Sequence, residues 1–316
     1  MSIISNLVRK ATKKDGKLNI LTFFYDGKFD VELLQTGHDF YGCLDMSAYQ
    51  WPGFMKAEYK NLHIFRDLNE VHHVDIDLVI FNSRHAHNQF FQICRQLHAP
   101  GLIIDHDQNN QNAFFREKNK QLTPFPHIST SEYVQQQYES DTCINYGIVP
   151  KNWESEKDID ILCTVSLQHD MGLINLIKQN FPSAVFIGHH PNLPYAGQVE
   201  TFEDYKGLFR RARLFVNTAP QADINYDILY ALNNSVPIVT YGWPIYQGLL
   251  EQNLNCIQVT TQEEIISKIK ELSFDKALYN KISNFKTNLH SKFSQPMFIN
   301  RWREELSKHA SRVYIE

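Results

Sequence analysis

From Leu18 onward the chain repeats one pattern, a short run of apolar, branched or aromatic residues followed by a turn and a longer stretch of helical periodicity. A run apolar on both faces must be covered on both, and parallel strands need a crossover helix between them. This alternation therefore dictates an α/β fold, with helices packed on both sides of a parallel sheet. In the first half the predicted strands are LNILTFF (18–24), DFYGC (39–43), LHIF (62–65), DLVIFN (77–82), GLIID (101–105), PHIST (126–130) and TCINYG (142–147). The turn Tyr25-Asp26-Gly27-Lys28 leads from the first strand into a helix through Phe29, Leu33 and Leu34. A second helix, His87 to Leu97, is closed by Pro100-Gly101.

The polar segment IVPKNWESEKD (148–158) separates this series from a second one. There the predicted strands are DIDILCTV (158–165), SAVFIG (183–188), RLFVNTA (213–219), VPIVTY (236–241) and NCIQV (255–259), and the helices are 170–180, 203–211, 226–233 and 262–272. The expected domains are 1–150, 151–290 and a terminal helix within 291–316 that packs back across the junction on Phe298, Trp302, Leu306 and Ala310. No internal repeat of fixed period is present, so solenoids and propellers are excluded. Two doubly wound, Rossmann-like domains facing each other would form a cleft at the carboxyl ends of their strands.

Composition narrows the class further. With 43% hydrophobic and 21% charged residues the 316-residue chain can bury a core, and 31 Lys plus Arg against 35 Asp plus Glu give a formal charge of −4. That removes a whole-chain basic excess for nucleic acid, though a local patch remains open. Cysteines 43, 94, 143, 163 and 256 form no CxxC pair, which argues against a disulfide framework or structural zinc. No apolar run is long enough to span a membrane and the first 17 residues lack a signal-peptide pattern, so a cytoplasmic protein is expected. In that segment Ile3, Ile4, Leu7, Val8 and Ala11 recur at helical spacing beside Arg9, Lys10, Lys13, Lys14 and Lys17. Such a segment is either a frayed, solvated terminus or a contact for an anionic membrane or nucleic-acid phosphate.

Three stretches carry a family resemblance: DLVIFNSRHAHNQFFQICRQLHAPGLIIDHDQN (77–109), PHISTSEYVQQQY followed by INYGIVPKNW, and EDYKGLFRRARLFVNTA followed by DILYALNNSVPIVTY. Together with the order of elements they resemble the GT-B nucleotide-sugar glycosyltransferases, and within these the retaining enzymes of family 4. The resemblance implies a glycosyltransferase that needs no bound metal or cofactor, with the nucleotide-sugar held by the second domain and the acceptor by the first. It also implies a histidine against the reacting sugar, at His106. The family's two donor-binding glutamates are absent, since aligning VPIVT places Ala222 and Tyr230 at their positions. Asp223 and Asp227 are the nearby carboxylates that could replace them.

A leaving diphosphate is stabilised by backbone N–H groups at a helix N-terminus, which points to Asp223, Asn225 and Tyr226 ahead of the helix 226–233. The alternative is an ordinary helix cap. Thr164, Ser166 and His169 after one strand, Gly188, His189 and His190 after the next, and Asp227 and Tyr230 complete the expected donor site. His106 and Asp107, which end the apolar strand 101–105, are the expected catalytic residues, with Asp105 and Asp107 raising the pKa of the ring and orienting it; the alternative is a structural histidine beside solvated loop charges. The acceptor would meet Tyr25, Asp26, Lys28 and Trp51, the last in an aromatic loop with Tyr49, Phe54 and Tyr59. His85, His87, Asp105 and Asp107 are compatible with a metal, but no metal is expected from their spacing.

The acceptor is left open as a glycan, a small molecule or a modified DNA base. IIDHDQNN (103–110) and KELSFDKALYNKISNFKTNL (270–289) resemble segments of bacteriophage glucosyltransferases that act on hydroxymethylated cytosine in DNA. In that reading the basic N-terminus and Arg210, Arg211 and Arg213 would contact phosphate; otherwise these arginines cap a helix. The missing glutamates motivate a third reading, a GT-B-like binding or scaffold protein without catalysis.

Overall fold

The computed structural model describes residues 16–47, 59–82, 89–106, 125–150, 156–165, 171–188, 199, 201–218, 226–242, 244–285 and 288–311. The chain divides into two units, 1–147 with 295–316, and 148–294.

Unit 1 is built on a seven-stranded sheet in the order β3-β2-β1-β4-β5-β6-β7. The strands are β1 (Asn19–Thr22), β2 (Asp39–Cys43), β3 (Leu62–Phe65), β4 (Leu78–Phe81), β5 (Gly101–Asp105), β6 (His127–Ser129) and β7 (Thr142–Cys143). All pair in parallel, with Ile20 opposite Leu78 and Ile80 opposite Leu102. Helices α1 (Gly27–Leu34), α2 (Phe90–Leu97) and α3 (Glu132–Tyr138) connect them. One sheet face carries Leu21, Phe23, Val79, Phe81 and Ile103 into a core with Ile93 and Cys94 of α2. Strand order reverses between β1 and β4, and the crevice beyond the carboxyl ends of such a pair is where doubly wound sheets bind ligands.

The segment TCINYG is strand only over Thr142–Cys143. Its neighbour β6 has just three residues, so the edge strand finds two partners and the chain leaves the ladder at Ile144.

Unit 2 holds a five-stranded parallel sheet in the order β12-β11-β10-β8-β9. Its strands are β8 (Ile159–Val165), β9 (Val185–Gly188), β10 (Ala212–Val216), β11 (Ile238–Tyr241) and β12 (Cys256–Val259). Its helices are α4 (Met171–Asn180), α5 (Phe202–Arg211), α6 (Tyr226–Asn233), α7 (Gln262–Phe274) and α8 (Lys276–Ser283). Both α5 and α7 begin with a capping box, Thr201 with Asp204 and Thr261 with Glu264, which satisfies N–H groups the helix cannot pair itself. The chain enters this unit at Ile148, whose N–H donates to the carbonyl of Phe293 at 2.7 Å, beside the point where it leaves.

The terminal helix α9 (Gln295–Ala310) belongs to unit 1. Phe298, Trp302, Leu306 and Ala310 are all buried along it, as their spacing predicts. Phe298 and Trp302 meet the ring of Phe29 edge-on at 6.0 and 5.9 Å, and Arg303 Nε donates to the carbonyl of Thr36 at 2.8 Å, fixing α9 on α1. Full burial of each such aromatic side chain contributes about 1.5–3 kcal/mol. No helix among the described residues is long and apolar enough to cross a membrane.

Candidate functional site

Asp26 caps α1, its carboxylate accepting from Lys28 N at 3.0 Å, so the loop after β1 is pinned where sequence places an acceptor site. Tyr25, in that loop, lies flat against His106 with ring centroids 4.1 Å apart and planes 11° from parallel. Phe29 of α1 meets the same imidazole edge-on at 4.6 Å, and His106 Nδ1 lies 3.4 Å from the Tyr146 hydroxyl. The imidazole is thus held between the β1–α1 segment and the chain after β7, with 5% of its surface exposed. Three of the sequence-named residues, Tyr25, Asp26 and His106, are gathered here, and Lys28 contributes its backbone N–H to the cap.

Asp105, expected to orient the His106 ring, makes its contacts elsewhere. Successive strand residues point to opposite faces, and Asp105 Oδ2 faces His127 Nδ1 at 3.2 Å and accepts from Ser140 Oγ at 2.8 Å. Asp105 therefore joins β5 to β6 and to the end of α3. The backbone carbonyl of His106 is fixed instead by Thr130 Oγ1 at 3.3 Å.

Two residues not named from sequence complete this end of unit 1. Asp30, in the first turn of α1 and 4% exposed, accepts from Tyr25 N at 3.2 Å and from Asn82 Nδ2 at 3.3 Å. A carboxylate four residues after the cap and an asparagine ending an apolar strand are the signals that could have found them.

In unit 2 the carboxyl ends of β8 and β10 are joined by Thr218 Oγ1, which donates to the carbonyl of Thr164 at 2.8 Å. Asn217 Nδ2 donates to Thr240 Oγ1 at 3.1 Å and to Tyr246 Oη at 3.2 Å, carrying the tie on to β11. Gly188 ends β9 with φ +122°, and a Cβ there would stand 1.9 Å from the carbonyl oxygen of Val165. This close approach explains the glycine that sequence singled out. Tyr226 and Tyr230 are 0% and 2% exposed, packed with Phe202, Tyr205 and Phe209 between α5 and α6. Asp227 is buried in the first turn of α6.

Trp51, Asp107, Ser166, His169, His189, His190, Asp223 and Asn225 lie outside the described residues, as do His85, His87 and residues 1–15. Among the described residues no group of three or more His, Cys, Asp or Glu side chains could hold a metal ion. Of the basic run, Arg211 forms a two-pronged pair with Asp158 at 2.8 and 2.6 Å, and Arg210 lies 3.6 Å from Glu203. The Asp158 carboxyl is held below its usual range, mainly by the hydrogen bonds from Arg211.

No protein-family model matches the sequence, and no curated protein sequence matches it. Solved structures do match in fold. HepE of Anabaena, in complex with UDP-glucose, aligns with a TM-score of 0.67 over 92% of this chain and 100% of its own, at 14% identity. Sucrose-phosphate synthase from Thermosynechococcus elongatus aligns with a TM-score of 0.65 over 92% and 99%, at 10% identity. An alpha-glucosyltransferase in complex with UDP and a 13-mer DNA aligns with a TM-score of 0.55 over 92% and 100%, at 12% identity. The chain has the GT-B fold of these glycosyltransferases.

Proposed function

We propose that this chain is a glycosyltransferase that moves a sugar from a nucleotide-sugar donor, UDP-glucose or a close relative, to a hydroxyl group, with retention of configuration. One observation carries the reading: the HepE complex with UDP-glucose shares this fold along its whole length. The buried His106 at the carboxyl end of β5, where the family resemblance calls for a sugar-facing histidine, agrees with it.

In this reading the C1–oxygen bond of the donor breaks with its electron pair on the departing diphosphate, and the acceptor oxygen bonds to C1. The acceptor proton leaves with the diphosphate. Charge grows on the diphosphate in the transition state, so the largest catalytic contribution is electrostatic. That task falls to unit 2, where Thr164, Ser166, His169, Gly188, His189, His190, Asp223, Asn225, Tyr226, Asp227 and Tyr230 are the proposed donor set. Of these, Tyr226 and Tyr230 are packed among the aromatic rings between α5 and α6, so they act by holding α6 in place. His106 and Asp107 face the reacting sugar, and Tyr25, Asp26, Lys28 and Trp51 meet the acceptor.

The test is UDP release from UDP-glucose, with water as acceptor, by the wild type and His106→Ala. A loss of about a hundredfold in kcat with an intact melting temperature supports the assignment. Equal turnover by both proteins removes His106 from the mechanism. The modified DNA base is a narrower form of the same proposal, suggested by the alpha-glucosyltransferase complex with DNA. Binding to duplex DNA that weakens steeply with salt would favour it. Binding of UDP without turnover of any sugar donor would favour the scaffold.

A further inference from the structure

The Asp30 carboxylate joins the two strands between which the order of the unit 1 sheet reverses. Oδ2 accepts the N–H of Tyr25, in the loop after β1, and Oδ1 accepts from Nδ2 of Asn82, at the end of β4. Tyr25 passes this constraint on, because its ring lies flat on His106 at 4.1 Å. Phe29, the residue before Asp30, holds the same imidazole from the side at 4.6 Å. Both rings that confine His106 therefore belong to the segment that Asp30 anchors.

The choice of residue is informative. Removing a carboxylate from water costs several kcal/mol unless hydrogen bonds replace the solvent, so an apolar residue would pack at this 4% exposed position with less penalty. A carboxylate accepts only, so it forces the amide of Asn82 to present Nδ2 to it. The amide oxygen is then turned the other way, and Asn82 Oδ1 is buried without a hydrogen-bond partner. A buried acceptor without a donor is destabilising, so this orientation of Asn82 calls for a role beyond packing.

We infer that Asp30 is a positioning residue, which sets the pose of His106 through Tyr25 and orients Asn82 to accept a hydrogen bond from a substrate hydroxyl. The pose of His106 is independent of the proposed function; the hydroxyl recognised by Asn82 rests on it. Such an oriented amide oxygen discriminates against phosphate, which brings acceptor oxygens and negative charge.

The experiment uses the full chain labelled with 15N-histidine, with the His106 signals assigned from His106→Gln. Asp30→Ala should move the His106 ring signals and lower kcat/KM for UDP-glucose turnover at least about tenfold. Asp30→Asn can still accept from Tyr25 N–H and reverses Asn82 instead, so its His106 signals should stay in place while kcat/KM falls. The exchanged pair Asp30→Asn with Asn82→Asp restores donor facing acceptor and should recover at least half of that loss. Unmoved His106 signals in folded Asp30→Ala, or an unchanged kcat/KM, would overturn the inference. Should Asp30→Ala not fold, failure of the exchanged pair to recover activity overturns it. If the wild type turns over no sugar donor, the proposed function fails, and the histidine signals alone decide the role of Asp30.

Discussion

Gly188 offers a direct check on the geometry at the carboxyl end of the unit 2 sheet. Its φ of +122° lies where side chains are rarely tolerated, and a Cβ would come within 1.9 Å of the Val165 carbonyl oxygen, a backbone atom that cannot swing aside. Backbone strain of this kind costs about 1–3 kcal/mol. Since contacts to a real Cβ do not fall below 3.0 Å, β8 and β9 must also part by at least 1.1 Å (3.0 minus 1.9), where Val165 and Gly188 are in register. Gly188→Ala should therefore lose about 3 kcal/mol or more. The control is Gly207, in the middle of α5, where an added methyl meets nothing within 4 Å. Gly207→Ala should gain about 0.5–1 kcal/mol from the lower entropy of the unfolded chain. Urea unfolding followed by circular dichroism on both variants gives the comparison, with equal m-values as the condition for reading the midpoints as stability. A Gly188→Ala midpoint level with that of the wild type would refute the close approach of β9 to β8.

Three further outcomes follow from the same physical reasoning. Tyr230→Glu restores a carboxylate at the position of a family glutamate, but at a 2% exposed site among aromatic rings, so it should cost about 3 kcal/mol or more and yield no tighter UDP-glucose binding; wild-type stability with tighter binding would contradict this. His38 is held below its ordinary pKa first by burial and then by Arg303, with Lys17 acting in the same sense and Asp39 and Asp77 opposing. Its Nδ1 accepts from Leu18 N at 3.3 Å, which only the unprotonated nitrogen can do. The folded state thus favours the neutral ring, and this stability is complete above the unfolded pKa of about 6.5 and is lost as pH falls through the folded value. His38→Asn, which keeps an acceptor, should flatten the loss of stability between about pH 7 and pH 5, and an unchanged slope would count against it. Burial pushes the thiols of Cys43 and Cys256 up to about 11 and Cys94 to about 12, and raises Cys163 as well. These four should resist a disulfide reagent in the native protein and react after unfolding; rapid native labelling of any of them would show that burial wrong.

The strands were the most legible part of the sequence, because short runs rich in apolar, branched and aromatic residues mark them, and central strands such as GLIID are buried throughout. DFYGC, LHIF and GLIID occupy the predicted residues, and Phe298, Trp302, Leu306 and Ala310 line the buried side of α9. Helices α3 and α8 were not predicted. Each is short, and EYVQQQY and KALYNKIS bury a single residue apiece, Val134 and Ile282, so neither has an apolar stripe to read. At the candidate site the sequence indicated the loops but not the pairings. Asp105 and His106 are neighbours in the chain, yet pleating sends the carboxylate to His127 and Ser140 and leaves the imidazole to Tyr25 and Phe29. Asp30 and Asn82 are brought together by strand order, which hydrophobic pattern does not encode. Tyr226 and Tyr230, expected from sequence in the donor site, are packed among core aromatic rings.

The proposed function requires that unit 2 bind a nucleotide-sugar. A calorimetric titration of the full chain with UDP-glucose, with UDP, GDP and ADP as comparisons, tests it most directly. One nucleotide and its sugar conjugate should bind saturably in preference to the others, with a melting temperature that rises with ligand concentration. Folded protein that binds none of them at millimolar concentration would rule out a donor site in unit 2.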